Sequence, residues 1–287
     1  SRWPVQMGGK IDIQGTSANP VVMTSAGETA GDWGGLVIAG KATTTKGANA
    51  TAEVGGIKYG GTTDTDSSGN IDYLVIEYAG AAINSESEFN GLTLYAVGSA
   101  TTIDNVAITN GTDDGVEFFG GTVSASNFYL ENNDDDAIDW TEGWNGTLDT
   151  AYVVHTIAGF STVVEADGAN GNPKLNDLTA VSSVGGTALQ FKKASGATIT
   201  GLTLGGYDTN VELANPNQGD LDFIIIDGAS ATTDGAYFSS TTNANAFTWA
   251  DALVVNQTVS LSGSLSADLT LDPTVQYFLD GVLSVES

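Results

Sequence analysis

Short apolar segments recur along this chain at a nearly constant spacing. One apolar position per segment gives Val116, Ile138, Val164, Leu189, Val211 and Ala236, separated by 22, 26, 25, 22 and 25 residues. The residue after each is Glu117, Asp139, Glu165, Gln190, Glu212 and Tyr237. Leu92, 24 residues before Val116, extends the series upstream, as does Leu36 within Trp33-Gly34-Gly35-Leu36-Val37-Ile38. A second series alternates with the first: Ile103 to Ile108, Ser126 to Leu130, Asp149 to Val153, Asn176 to Val181, Ile199 to Leu204 and Leu221 to Ile226. Period-two alternation in short runs, punctuated by Gly, Asn and Asp, predicts strands and turns.

A repeat of this length without helical patterning predicts a β-solenoid, in which each coil hydrogen-bonds to the next. A leucine-rich repeat would need a regular Leu/Asn consensus, which is absent. A β-sandwich would not place equivalent residues one coil length apart. The fold expected is all-β, a right-handed parallel β-helix forming a single elongated domain over residues 1–260. Val116, Ile138, Val164, Leu189 and Val211 should then form one interior column. Residues 43–70, rich in Gly, Thr, Ala and Asp, break the period and are expected to leave the coil as an irregular insertion. A second irregular stretch covers residues 245–260, and residues 261–287 are expected to form C-terminal strands.

Charge narrows the function. The chain has 8 basic and 35 acidic side chains, a formal net charge of −27. This excludes nucleic-acid binding through phosphate neutralisation and disfavours an anionic membrane surface. No apolar run approaches the roughly 18 residues of a membrane-spanning helix, so membrane insertion is not expected. Cysteine is absent, which removes disulfides, thiol catalysis and Cys-ligated metals. Low Lys with abundant acid, Thr, Asn and Gly fits a secreted or cell-surface protein. The opening Ser1-Arg2-Trp3-Pro4 lacks the apolar stretch of a secretory leader, so a removed signal or an excised fragment is expected.

Several stretches resemble a family of secreted or lipid-anchored right-handed β-helix proteins of marine bacteria. They include Gly31-Asp32-Trp33-Gly34-Gly35-Leu36-Val37-Ile38-Ala39-Gly40, Ile76-Glu77-Tyr78-Ala79-Gly80 and Asn90-Gly91-Leu92-Thr93-Leu94-Tyr95. The most specific are Asp113-Asp114-Gly115-Val116-Glu117-Phe118-Phe119-Gly120-Gly121 and Asp134-Asp135-Asp136-Ala137-Ile138-Asp139-Trp140. The resemblance covers most of residues 8–145. It implies the β-helix fold and carries over no catalytic residue. Residues 266–286 resemble a segment that opens such domains, yet here they close the chain.

The acidic residues are the sharpest chemical feature. Asp113 and Asp114 lie 22 residues before Asp135 and Asp136, and Glu117 lies 22 before Asp139, which is one coil. Stacked coils are about 4.8 Å apart, so these carboxylates should face one another. They would repel, hold a proton, or bind Ca²⁺, and clustered carboxylates suit Ca²⁺. Solvated acidic turns are the simpler alternative. Paired acids could also serve a glycoside hydrolase or polysaccharide lyase. A lyase would need a base, and Lys192 and Lys193 lie two to three coils beyond the acids. Trp140 and Trp144 flank the cluster and could stack on sugar, or could simply pack. His155, at a strand end without a Ser or Cys partner, is expected to be structural.

The ends carry a further expectation. Trp3, Val5, Met7, Ile11 and Ile13 alternate from the start, and Tyr277, Leu279, Val282 and Val285 do so near the last residue. Open solenoid ends invite strand addition. The leading expectation is therefore an extracellular structural subunit that assembles head-to-tail with copies of itself into a fibre, these two sets forming the interface. The alternative is a carbohydrate-binding adhesin or lyase-like module with an extracellular polysaccharide as partner.

Overall fold

The structure is a computed structural model. It describes residues 2–214 except 85–86, 169–170, 172 and 193–194, and beyond 214 the backbone of residues 224–227, 230–231, 236–237, 247–249 and 254–255. The described residues contain no helix, and their long sheets are parallel throughout. The chain winds as a right-handed parallel β-helix.

The first sheet stacks Trp3–Val5, Leu36–Ala39, Leu92–Tyr95, Val116–Phe119, Asp136–Thr141, Thr162–Ala166, Thr187–Lys192, Thr209–Ala214 and Ala236–Tyr237 in that order. Its register reproduces the column expected from spacing: Leu92, Val116, Ile138, Val164, Leu189, Val211 and Ala236 pair in succession. Those through Val211 are fully buried. Alternation turns the next residue outward and the one after inward, so Phe118, Trp140 and Phe191 fill the same core.

The second sheet stacks Ile11–Gln14, Gly69–Glu77, Thr102–Thr109, Ala125–Glu131, Thr147–His155, Lys174–Ser182 and Ala197–Thr200. Its strands are bent. Tyr73, Asn105, Asn127, Thr150 and Asp177 all have φ between 51° and 62°, and each sits where the paired register skips one residue. Asn tolerates this left-handed conformation better than most residues. Its amide also stabilises the corner: Asn105 donates to Asp72 at 2.9 Å and Asn127 to Asp104 at 2.7 Å, each one coil back. Gly69, at the head of one such strand, has φ +111°, and a Cβ there would lie 1.8 Å from the Ile11 carbonyl oxygen.

The irregular insertion does leave the coil, but it ends before Gly69, where a nine-residue strand begins. A short antiparallel pair, Ala50–Thr51 with Lys58–Tyr59, folds it back over the outer face of the first sheet. Val54, Ile57 and Tyr59 pack there on Val37, Tyr95 and Phe119, forming a second apolar cluster. Three outward apolar side chains are thus removed from water. Glu142 latches the excursion: its carboxylate accepts bonds from Thr44 at 2.8 Å and from Tyr59 at 2.8 and 3.0 Å.

At the N-terminal coil, Trp3 is exposed, Met7 and Ile11 are half-buried, and Val5 and Ile13 belong to the core. The other half of the expected fibre interface, Tyr277, Leu279, Val282 and Val285, lies outside the described residues, as do residues 261–287 as a whole.

Candidate functional site

The acidic residues converge on the outer face of the first sheet. Glu117, Asp139 and Glu165 follow core residues Val116, Ile138 and Val164, so alternation points all three outward, and parallel register places them in one row. Asp113 and Asp114 come from the turn entering one strand, Asp135 and Asp136 from the equivalent position one coil later. Asp114 accepts a bond from the Asp136 backbone N–H at 3.0 Å, joining the two turns. All six acidic residues singled out by spacing are therefore brought together.

Their carboxylate oxygens form three overlapping triads: Asp113–Asp114–Asp135, Asp114–Glu117–Asp139 and Asp136–Asp139–Glu165. Within each triad one oxygen per residue lies within 4.8 Å of the others. Asp114 and Asp139 each belong to two triads, so the set is one continuous acidic track across three coils. Two like charges at this separation repel by roughly 3 kcal/mol at an effective dielectric of about 20.

The track opens into a cleft of about 490 Å³. Glu53 and Val54 from the excursion wall one side, Ser87, Glu88 and Asn90 from a second loop wall another, and Tyr95 and Phe119 contribute apolar surface. Among the described residues no lysine or arginine lines it.

Burial and mutual repulsion push the acids toward their neutral forms. Asp113 rises to about 7, first through burial and then through the Asp135 charge. Burial also lifts Asp114, Glu117, Asp136 and Asp139 well above the ordinary carboxylate range, with neighbouring carboxylates adding to it. Asp135 rises for the same first reason, moderated by Lys192. Partial relief comes from Asn90, which donates to Glu117 at 2.6 Å, and from Thr162, which donates to Asp136 at 2.5 Å. Asp139 Oδ1 is buried with no hydrogen-bond partner. A row of oxygen donors with an unpaired buried lone pair suits a hard divalent cation of the Ca²⁺ type, with ligand distances of about 2.4 Å.

The sugar-stacking expectation changes. Trp140 and Trp144 do not face the cleft: both are fully buried, Trp144 stacked on Phe118 at 4.0 Å with its indole N–H donating to Val123 O at 3.0 Å. Trp140 directly follows outward-facing Asp139, so alternation turns it inward. The aromatics at the cleft are Tyr95 and Phe119, stacked at 4.3 Å. Lys192, set two to three coils beyond the acids, reaches back one coil and forms an ion pair with Glu165. Glu165 stood in the recurring column yet was not singled out, although its place in that row was legible. Glu53 and Glu88 sit on loops outside the period, which no spacing argument reaches.

His155 lies away from the cleft. It is fully buried, stacked on Phe160 at 3.6 Å, with Nδ1 3.1 Å from the Tyr207 hydroxyl. Its placement is that of a core residue.

A family model described as a pectate-lyase like beta helix domain matches residues 3–262. No curated protein and no solved structure matches the chain.

Proposed function

The chain belongs to the pectate-lyase like β-helix domain family, and from that premise we propose that it is an extracellular polysaccharide-binding module whose acidic cleft loads Ca²⁺ and uses the ion to hold anionic sugars. The observation that carries this reading is the continuous track of carboxylates opening into a cleft that, among the described residues, no lysine or arginine lines. A bare acidic cleft repels an anionic sugar. Divalent ions seated in the cleft offset its carboxylate charge and present open coordination positions to sugar carboxylates and hydroxyls.

Isothermal titration of calcium, followed by titration of polyuronate oligosaccharides with and without calcium, tests the proposal. Calcium binding followed by calcium-dependent oligosaccharide binding is the expected outcome. Sugar binding that ignores calcium, or none at all, overturns it.

One observation favours a second, catalytic reading. Asp113, held near pH 7 beside Asp135, has the protonation behaviour of a general acid or base. Incubation with polyuronates and neutral glycans, monitored for unsaturated chain ends and for reducing ends, separates lyase, hydrolase and binding activities. Head-to-tail assembly is a further reading, taken from the alternation of Trp3, Val5, Met7, Ile11 and Ile13. Electron microscopy of the chain in salt and calcium tests it: rods support it and monomers overturn it.

A further inference from the structure

The three carboxylate triads are not equivalent. Asp113–Asp114–Asp135 and Asp114–Glu117–Asp139 border the cleft. Asp136–Asp139–Glu165 lies at the far end of the track, and a cation is already seated beside it. Lys192, from the strand Thr187–Lys192, extends to the preceding coil and pairs with Glu165 through Nζ. The contact is partly sheltered, with 31% of the Lys192 side chain and 12% of the Glu165 side chain accessible.

We propose that Lys192 is a built-in counter-cation that occupies the Asp136–Asp139–Glu165 triad and confines divalent ions to the two triads at the cleft. For the ions it leaves in the cleft, this rests on the calcium reading above. A divalent ion needs carboxylate oxygens at about 2.4 Å, together with several further oxygens. The ammonium already engages a carboxylate oxygen of Glu165, and its charge repels the ion. Asp139 is shared between the blocked triad and a cleft triad, so the lysine also weakens the ion on its cleft side. The consequence is positional. Ions are held where a sugar can reach them, and not deeper along the row.

The test compares the wild-type chain with Lys192→Met, Lys192→Arg and the double variant Lys192→Met/Glu165→Gln. Calcium stoichiometry is read by isothermal titration and, independently, by terbium luminescence, after far-UV circular dichroism confirms folding. Lys192→Met should bind one more ion per chain than wild type, the charge-keeping Lys192→Arg should match wild type, and the double variant should lose the added ion. Equal stoichiometry in wild type and Lys192→Met overturns the inference. The inference is read from the difference between variants, whereas absence of any ion on wild type bears only on the calcium reading. A wild type without calcium and a Lys192→Met variant with one ion would sink that reading and keep this one.

Discussion

Glu117 and Asp139 stand directly opposite one another on adjacent parallel strands, both facing outward, because the residues before them, Val116 and Ile138, are paired in the core. The interior therefore forces two acids together. Hydrophobic register costs the fold an electrostatic conflict on its outer face, which a proton or a cation relieves.

Calcium should therefore stabilise the native state. A ligand that binds only the folded chain adds about 2.7 kcal/mol at one hundred times its dissociation constant. Thermal melting in calcium and in EGTA should differ by several degrees. Glu117→Gln with Asp139→Asn should raise the melting temperature without calcium, by removing repulsion, and should abolish most of the calcium increment. A double variant that melts lower in EGTA than wild type would contradict this account.

The pH dependence of stability has two opposing parts. His155 is fully buried and, through burial, has its pKa lowered to about 4 in the fold, against an ordinary value of 6.5. The unfolded chain binds the proton more readily, so this contribution is intact above pH 6.5 and is lost as the pH falls toward 4, by about 3 kcal/mol in all. The acids of the track run the other way: their pKa values are raised in the fold, so they favour the native state more as the pH falls. Urea denaturation of wild type and His155→Gln between pH 7 and pH 4 isolates the histidine. Wild type should lose stability relative to the variant over that interval, whereas parallel profiles would refute a buried neutral imidazole.

Much of this fold was legible, for a physical reason. A parallel coil places equivalent residues one turn apart, so a single column of apolar positions fixed the register from Leu92 to Ala236. The acids came with it because each follows or precedes a column residue. What was not legible arises where the chain leaves the period. The excursion that supplies Glu53, the loop that supplies Glu88, and the latch between Tyr59 and Glu142 join residues 83 apart or are set by loop shape. The left-handed corners at Asn105 and Asn127 were hidden too, since alternation reads straight through a one-residue bend. Lys192 sits two to three coils beyond the acids, as coil counting gives, but its contact with Glu165 was not legible because counting coils ignores the reach of a long side chain.

Phe118 probes the core beneath the cleft. It is fully buried, stacks on Trp144 at 4.0 Å, and lies one residue from Glu117. Phe118→Ala should cost about 3–5 kcal/mol, the range for large aromatic deletions in a packed core. Chemical denaturation measures it. A loss under 1 kcal/mol would mean that this interior is not close-packed.

Glu142 is the strongest test of how the excursion shapes the cleft. Its carboxylate is buried and accepts from Thr44 and Tyr59, and its backbone oxygen accepts from the Thr45 N–H at 3.0 Å. Tyr59 is itself buried, and burial followed by the Glu142 bond holds its hydroxyl protonated far above the ordinary tyrosine range. Glu142→Ala leaves two hydroxyl groups without their acceptor, at about 1–3 kcal/mol each for any that stay buried. The apolar contacts of Val54 and Ile57 with Tyr95 and Phe119 remain, so the coils should stay folded while the excursion loosens. Hydrogen exchange in residues 40–61 should rise well above that of the strands Val116–Phe119 and Asp136–Thr141, and calcium affinity should fall as Glu53 leaves the cleft wall. Glu142→Gln, which keeps one acceptor oxygen, should lie between wild type and Ala in both measurements. If Glu142→Ala leaves exchange in residues 40–61 unchanged, the apolar contacts alone hold the excursion, and the carboxylate is not its latch.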